Sequence, residues 1–237
     1  MDKPTSTRLN KYLALHLGAS RREADGYIEQ GRVKINDTPA ILGAHVAPTD
    51  NVTLDSKPVS TDTDLRYILL HKPAGYVCSR RPQGDNPTIY ALLPKELHAL
   101  KPVGRVDKDS SGLILLSNDG DFTHRMTHPS FRKTKTYLVR LDTSLQPLHQ
   151  QMISDFGVML EDGKSRFTVE RLDTPPENIA EKAPVTYRVT MSEGRNRQIR
   201  RTFGALGYTV TYLHRTTFGD YSLGDMSPGT WHFVNIS

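Results

Sequence analysis

The segment GRVDKDSSGLILLSNDG, from Gly104 to Gly120, joins a polar loop to a run of four aliphatic residues and closes on Asn118-Asp119-Gly120. The aliphatic run, Leu113–Leu116, is typical of a buried β-strand, and the Asn-Asp-Gly sequence that follows favours a tight turn. A buried strand holds the loop before it in a fixed position. This segment therefore predicts a sheet that carries functional side chains at one of its ends.

Beyond residue 66, strand-like and helix-like patterns alternate along the chain. Strands are predicted at Tyr67–Leu70, Leu113–Ser117, Tyr137–Leu141, Arg166–Glu170, Val185–Met191 and Thr209–Leu213. Helices fit best near Asp121–Thr127, Pro147–Phe156 and Asn196–Leu206. The tight turns between these elements favour antiparallel pairing, so we expect an α+β fold with a mixed, mainly antiparallel sheet flanked by helices.

The first part of the chain, residues 1–58, has the pattern of a small independent domain. Apolar residues recur at helical spacing from Leu9 to Leu17, after Ser6-Thr7, which can cap the start of the helix. Ser20-Arg21-Arg22-Glu23 has the form of a capping box for a second helix, which ends near Gly31. The segment SKPVSTDTD from Ser56 is almost wholly polar. We place a linker at residues 59–65 and a larger domain at residues 66–237.

Two arginines stand where they oppose the dipole of this second helix. Arg21 and Arg22 occupy its first turn, where cations face the positive end of the helix and reduce its stability. Backbone N–H groups are free at the same place, so the arginines and the helix end together form a candidate anion site. A local cost of this kind often marks function.

Charge and composition narrow the classes of partner. The chain has 237 residues, 31 Lys plus Arg against 26 Asp plus Glu, a net charge of +5 and a pI near 9.3. Two stretches are basic and free of acids, Phe131–Leu141 and the part between Gly194 and Arg215, so RNA or DNA is the favoured partner.

The longest aliphatic run is far short of the ~20 residues that span a bilayer. With no signal peptide and a single cysteine, Cys78, we expect a soluble cytoplasmic protein.

The polar loop partly mimics a calcium-binding loop. Asp107, Asp109, Ser111 and Gly112 fall in its first, third, fifth and sixth places, but Asn118 stands where a bidentate glutamate is needed. Strands are also predicted where that motif has helices. Calcium is therefore disfavoured.

A magnesium site for phosphoryl transfer is the other metal-based alternative. Asp107, Asp109, Asp119 and Asp121 are close in sequence, but no glycine-rich phosphate loop accompanies them. The residues around Asp119 are more simply a turn followed by a helix cap. We expect no metal ligands here.

The segment Gly104–Gly120 closely resembles the catalytic motif GRLDxxTxGLLLLTNDG of ribosomal RNA pseudouridine synthases of the RsuA/RluB/RluE/RluF type. Further matches, in the expected order, are Leu70–Gly75 (LHKPAG), Lys135–Tyr137 (KTY) and Glu193–Arg201 (EGRNRQIRR). Residues 8–33 look like the S4-like, αL-type RNA-binding domain that these enzymes often carry. Departures are mild: Val106 replaces a leucine, and Ser110 and Ser111 stand around the usual threonine.

This resemblance implies an isomerase that converts a uridine within RNA to pseudouridine and needs no cofactor or metal. It implies that Asp107 is the catalytic carboxylate, that Tyr137 stacks on the target base and that Leu213 lines the pocket. Asp107 would either attack C1′ as a nucleophile or remove the 2′ proton, and the sequence leaves both routes open. By the same resemblance Arg200 pairs with Asp107, and its place on the flank of the helix face marked by Ile199 allows it to reach inward.

The cations expected to contact RNA lie in both domains. In the small domain they are Arg8, Lys11, Arg21, Arg22 and Lys34. In the large domain they are Arg105, Arg195, Arg197 and Arg201, where Arg105 resembles the residue that fills the space left by an extruded nucleotide. Arg197 and Arg201 are expected to point away from the helix core, toward solvent or phosphates.

Ribosomal RNA or a ribosomal assembly intermediate is the implied partner of a monomeric enzyme. The ribosomal subunit stays open, because Gly157–Gly163 looks like the large-subunit enzymes and Gly75–Ser79 like the small-subunit ones. Two rivals also stay open. One is a non-catalytic RNA-binding assembly factor, and the other is a metal-dependent nuclease or phosphatase that uses the aspartates between Asp107 and Asp121.

Overall fold

The structure is a computed structural model that describes residues 6–62, 64–172 and 185–236. The chain forms two compact units. The first is Met1–Arg66 with Ala99–Lys101 and Ser117–Phe122, and the second holds the remaining residues. Among the described residues, no helix combines the length and the hydropathy that crossing a membrane requires.

The first unit packs two helices against short strands. Its elements are β1 (Thr7–Arg8), α1 (Leu9–His16), α2 (Arg21–Glu29), β2 (Val33–Ile35), β3 (Thr38–Pro39), β4 (His45–Val46), β5 (Val52–Leu54) and β6 (Lys57–Pro58). The strand order is β3-β2-β5-β6, all antiparallel, and β1 pairs separately with β4. Leu9, Leu13, Ile28 and Val33 lie in the core, where Val59 is also buried.

The two helices of this unit differ in how they begin. The capping box is confirmed: the Ser20 hydroxyl accepts a hydrogen bond from the Glu23 amide, and the Glu23 carboxylate accepts one from the Ser20 amide. The predicted cap at Ser6-Thr7 is wrong, because Arg8 holds the N-cap position of α1 without a side-chain hydrogen bond. Thr7 instead belongs to β1, where strand pairing takes precedence over capping.

The rest of the chain builds a larger sheet with flanking helices. Its strands are β7 (Tyr67–Lys72), β8 (Lys101–Val103), β9 (Ser111–Ser117), β10 (Lys135–Leu141), β11 (Val158–Leu160), β12 (Gly163–Ser165), β13 (Thr168–Leu172), β14 (Thr186–Met191), β15 (Val210–Phe218), β16 (Tyr221–Ser222) and β17 (Trp231–Phe233). Its α-helices are α3 (Gly120–Thr127), α4 (Pro147–Gln151) and α5 (Gln198–Gly204). Short 3₁₀ turns lie at Ile89–Leu92, Lys95–Leu97 and Pro129–Phe131, and a π-turn, Met152–Phe156, continues α4.

Within the described residues the main sheet follows the order β13-β14-β10-β15-β9-β7-β17, with β8 beside β9 and β16 beside β15. β15 runs parallel to β9 and antiparallel to β10, and β14 is antiparallel to both of its neighbours. The predicted α+β class with a mixed, mainly antiparallel sheet is therefore confirmed.

Gly112 makes the parallel contact between β9 and β15 possible. It lies opposite Arg215 with φ at +107°, and a Cβ atom there would lie 2.2 Å from the Arg215 carbonyl oxygen. Only glycine combines this backbone conformation with so close an approach. Gly112 thus sets the position of β9, and of the polar loop before it, against β15.

Alternation along the central strands sorts their side chains between the two faces of the sheet. Tyr137 lies opposite Arg215, and Val139 lies opposite Leu213, so these four side chains share one face. Arg140, Tyr212 and His214 share the other face.

The helix predicted at Asn196–Leu206 is shorter than expected. It begins at Gln198, because Arg197 adopts a left-handed conformation with φ at +46°. Arg197 is therefore the N-cap residue and lies outside the helix in which it was predicted.

Candidate active site

A cavity of about 260 Å³ lies on the Tyr137–Leu213 face of the sheet. Its walls come from the polar loop before β9, from β10 and β15, and from the segment that leads into α5. The lining residues include Arg105, Asp107, Lys135, Tyr137, Leu213 and Arg215. The motifs quoted from distant parts of the sequence thus meet at one place.

The polar loop before β9 is held by hydrogen bonds from Lys72. This lysine is fully buried, and its ammonium donates to the carbonyl oxygens of Ser110 at 2.6 Å, Pro73 at 3.0 Å and Lys108 at 3.4 Å. Burial lowers the pKa of Lys72 to about 8, while the nearby Cys78, Asp107 and Asp109 oppose the shift. A single cation therefore holds the backbone on the C-terminal side of Asp107.

Asp107 is exceptional among the acids of this loop. It lines the cavity, and its carboxylate makes no hydrogen bond or ion pair with any described residue, while its carbonyl accepts from the Ser110 amide. The expected ion pair with Arg200 is absent. The carboxylate is positioned by its backbone and remains free to meet a ligand.

Arg200 contacts Asp109 instead. Its Nε lies 3.5 Å from an Asp109 carboxylate oxygen, and its Nη atoms donate to the carbonyl oxygens of Val210 and Asp109 and to the Ser110 hydroxyl. Burial lowers the pKa of Arg200, and the charge of Asp109 opposes this. Arg200 thereby joins α5 to β15 and to the loop that carries Asp107.

Asp109 also binds Arg197 through two hydrogen bonds of 3.0 and 2.9 Å. These bonds are the main reason why the pKa of Asp109 is lowered. Arg197 is exposed, as expected, and its guanidinium group also pairs with this carboxylate.

Arg195 and Arg201 share a second carboxylate, Asp162, in the turn between β11 and β12. Arg195 donates to Asp162 and to the carbonyl oxygens of Gly163 and Lys164, and Arg201 reaches Asp162 at 2.6 Å. Both guanidinium groups therefore tie the β11–β12 hairpin to the segment around α5, while the Arg201 side chain, for which solvent or phosphate contact was expected, remains partly exposed.

The other predicted residues of the large domain lie where a ligand can meet them. Tyr137 is half-buried on β10, and Leu213 is buried on β15, both in the cavity wall. Arg105 is exposed at the cavity, and its side chain forms no hydrogen bond or ion pair with the described residues.

The predicted RNA contacts of the small domain fall into two groups. Arg8, Arg22 and Lys34 are exposed and form no ion pair among the described residues. Arg21 donates to the Asn10 side chain at 3.3 Å, and Lys11 pairs with Asp121 at 2.6 Å within the same compact unit.

The aspartates that suggested a metal site have other roles. Asp119 accepts from the amides of Asp121 and Phe122, which confirms the helix cap, and Asp109 binds two arginines. In the part of the chain that the structure describes, no three His, Cys, Asp or Glu side chains are grouped as metal ligands.

Sequence reasoning missed three cations at this site: Lys72, Lys135 and Arg215. Arg215 is only 2% exposed, lines the cavity and donates from Nε to the Leu113 carbonyl at 2.7 Å. The position of Lys72 at the end of an apolar strand was visible, but nothing local showed what its ammonium would contact. For Arg215 the sequence showed only membership of a basic stretch, and for Lys135 it showed that and a place in the KTY match, with no role assigned.

Comparison with protein families defines the class to which this fold and site belong. The model for RNA pseudouridylate synthase matches residues 66–205, and the S4 domain model matches residues 7–52. The chain belongs to the RNA pseudouridylate synthase family, as the resemblance of its motifs implied.

Individual relatives cover nearly all of the chain. It is 37% identical over 227 residues to the ribosomal small subunit pseudouridine synthase A of Yersinia pestis, with 94% of this chain and 93% of the relative covered. It is 35% identical to an uncharacterized RNA pseudouridine synthase of Aquifex aeolicus, with 96% and 90% covered. A crystal structure of a pseudouridylate synthase superposes with a TM-score of 0.67 at 32% identity, covering 97% of this chain and 96% of that one.

Proposed function

We propose that this enzyme isomerises one uridine of small-subunit ribosomal RNA to pseudouridine, with Asp107 as the catalytic carboxylate. The observation that carries the proposal is the carboxylate of Asp107, which lines the cavity without a hydrogen bond or ion pair to any described residue. The choice of small-subunit RNA is supported by the names of relatives that match most of the chain.

The reaction requires that the N1–C1′ bond breaks and that C5 of the same base then bonds to C1′. In one route Asp107 attacks C1′ and forms an ester that C5 later displaces. In the other it removes the 2′ proton and returns it after the base has turned. In both routes the proton on C5 is lost and N1 gains one, so the reaction has no net loss of atoms.

The remaining groups of the cavity support such a step. Tyr137 and Leu213 offer an aromatic ring and an aliphatic wall of the size that a flat base fills. Arg200, held by Asp109 and by the carbonyl oxygen of Val210, adds positive charge near the loop that carries Asp107. After the hydrogen bonds from Arg197, this charge helps to lower the pKa of Asp109. Arg200 is in this view a positioning residue that acts through the loop.

A uridine must leave its stack to enter this cavity, which costs a few kcal/mol. Phosphate contacts from the exposed cations of the small domain, Arg8, Arg22 and Lys34, and from Arg105 are proposed to offset this cost.

The test is a pseudouridine map of ribosomal RNA from cells that lack this protein, complemented with wild type, Asp107→Asn or Asp155→Asn. Asp155 is exposed on the π-turn and lies outside the cavity, so its variant is the matched control. We expect one site in the small-subunit RNA to disappear, and to return with wild type and Asp155→Asn but not with Asp107→Asn.

Other results would change the assignment. A site in the large-subunit RNA would overturn the choice of substrate, and restoration by Asp107→Asn would show that another group is the catalyst. An unchanged map would favour the non-catalytic assembly factor.

A further inference from the structure

Two cations in the cavity lack a carboxylate partner. Lys135 on β10 and Arg215 on β15 both line it, and neither forms an ion pair among the described residues. The Lys135 ammonium has only a 3.4 Å contact to the Lys133 carbonyl, and the Nη2 of Arg215 is buried with no hydrogen-bond partner. A buried cation without a counter-charge is costly, and an anion bound in the cavity would remove that cost.

The two cations lie against the same aromatic ring. The Lys135 ammonium lies 5.1 Å and the Arg215 guanidinium carbon 4.9 Å from the ring centre of Phe218. This shared contact keeps them together although they repel each other. Burial, and next the charge of Arg215, lower the pKa of Lys135, while the charge of Glu193 opposes the shift.

The residues around Lys135 and Arg215 indicate whether the bound anion is a base or a phosphate. The cavity wall beside these cations includes Tyr137, Met191, Ile199, Leu213 and Phe218, which are aromatic or aliphatic. Such walls suit a flat base, whereas the exposed Arg105 at the same cavity suits a phosphate.

We propose that Lys135 and Arg215 form an anion subsite for the target uracil and stabilise the negative charge that this base carries once its N1–C1′ bond has broken. The inference rests on the proposed function and deepens it. The electron pair of the broken bond stays on the base, spread over N1, O2 and O4, and returns to C1′ when C5 attacks. Lys135 is the contacting cation, and Arg215, buried behind the surface, strengthens the positive potential.

The experiment uses the full-length enzyme and an RNA fragment that contains the uridine identified by the pseudouridine map. Enzyme in excess gives the single-turnover rate constant for consumption of the starting nucleoside, separately from RNA affinity. The variants are Lys135→Met, Lys135→Arg and Arg215→Met. Arg188→Met is the control, because Arg188 lies on β14 outside the cavity and pairs with Glu170. A second fragment carries 5-fluorouridine, whose base is a better leaving group because fluorine withdraws electrons.

We expect the rate constant at saturation to fall about 100-fold for Lys135→Met and for Arg215→Met, as is typical when one stabilising donor is lost. Lys135→Arg should keep much of the rate, and Arg188→Met should keep all of it. The loss should be smaller with 5-fluorouridine. Because the ratio of the two substrates is measured within one variant, it does not depend on how much of that variant is folded.

Three outcomes would overturn the inference. One is a ratio of 5-fluorouridine to uridine rates that equals the wild-type ratio in both methionine variants. Another is weaker RNA affinity with a reduced salt dependence but an unchanged rate at saturation, which would assign the cations to a backbone phosphate. The third is full activity of both methionine variants. Failure of the proposed function would be distinct, since the wild-type enzyme would then convert neither fragment.

Discussion

The two faces of the central sheet differ in how their titratable side chains are paired. On the cavity face, Asp107, Lys135 and Arg215 lack partners of opposite charge among the described residues. On the other face, His214 accepts or donates a 2.9 Å hydrogen bond with Ser111, and its ring lies edge-on to His71, 5.2 Å away. The histidines on this face are held by a hydrogen bond and ring packing, whereas the three charged groups at the cavity can meet the charges of a ligand.

The first prediction concerns a substitution in the contact between β9 and β15, which affects both faces of the sheet. Gly112→Ala places a methyl group 2.2 Å from the Arg215 carbonyl oxygen in a backbone conformation that side chains rarely adopt. We expect the free energy of unfolding to fall by at least about 3 kcal/mol in denaturant titrations. Gly207→Ala is the control, since Gly207 also has a positive φ but open space around it. Equal losses for the two variants would contradict the close contact.

The second prediction concerns the histidine face alone. Burial lowers the pKa of His214 from 6.5 to about 4, and burial also lowers that of His71. Between these pKa values the unfolded chain binds a proton that the folded chain does not, so stability is complete above pH 6.5 and is lost as the pH falls toward 4. We expect a loss of roughly 2 kcal/mol from His214 over this window.

His214→Gln removes this titration and keeps a polar side chain beside Ser111. Its unfolding free energy, measured from pH 7.5 to 4.5, should fall less than that of the wild type. An identical pH dependence in both proteins would exclude His214 as the group responsible.

The third prediction concerns the loop before β9, where the Asp107 carboxylate is unpaired and the Asp109 carboxylate binds two arginines. Asp109→Asn weakens the contacts that hold Arg197 and Arg200, and we expect activity to fall about tenfold while stability changes by less than about 1 kcal/mol. Asp162→Asn is the matched control, because Asp162 also binds two arginines but lies on the β11–β12 hairpin rather than on the loop that carries Asp107. If Asp162→Asn lost more activity than Asp109→Asn, the contacts of the β11–β12 hairpin would matter more for activity than those of Asp109.

The fourth prediction has the smallest expected effect and concerns the RNA affinity contributed by an exposed cation of the first unit, in contrast to the cations of the cavity. Arg22→Ala should weaken RNA binding about threefold and reduce the slope of log affinity against log salt by about one. Arg32→Ala should change neither by as much, since Arg32 already pairs with Asp55 at 2.6 Å. Equal slopes for Arg22→Ala and the wild type would remove Arg22 from the RNA interface.

Several contacts that the sequence analysis did not predict share one cause. Each of four arginines contacts a carboxylate that lies 33 to 91 residues away in the chain, Asp162 on a hairpin or Asp109 on a loop; they are Arg195, Arg197, Arg200 and Arg201. Helical spacing describes only neighbours within a few turns, so it could not predict such contacts. The left-handed backbone of Arg197 also places this residue outside the predicted helix.

Local patterns alone determined the α+β class, the capping box at Ser20, the helix cap at Asp119 and the motif around Asp107. Each of these depends on residues within a few positions of one another, where sequence spacing and spatial spacing agree. Only the tertiary structure decided that Asp107 stays unpaired, that Arg200 turns to Asp109, and that Lys135 and Arg215 share one cavity. Those outcomes depend on how distant strands approach each other, and the parallel contact of β9 with β15 at Gly112 sets that approach.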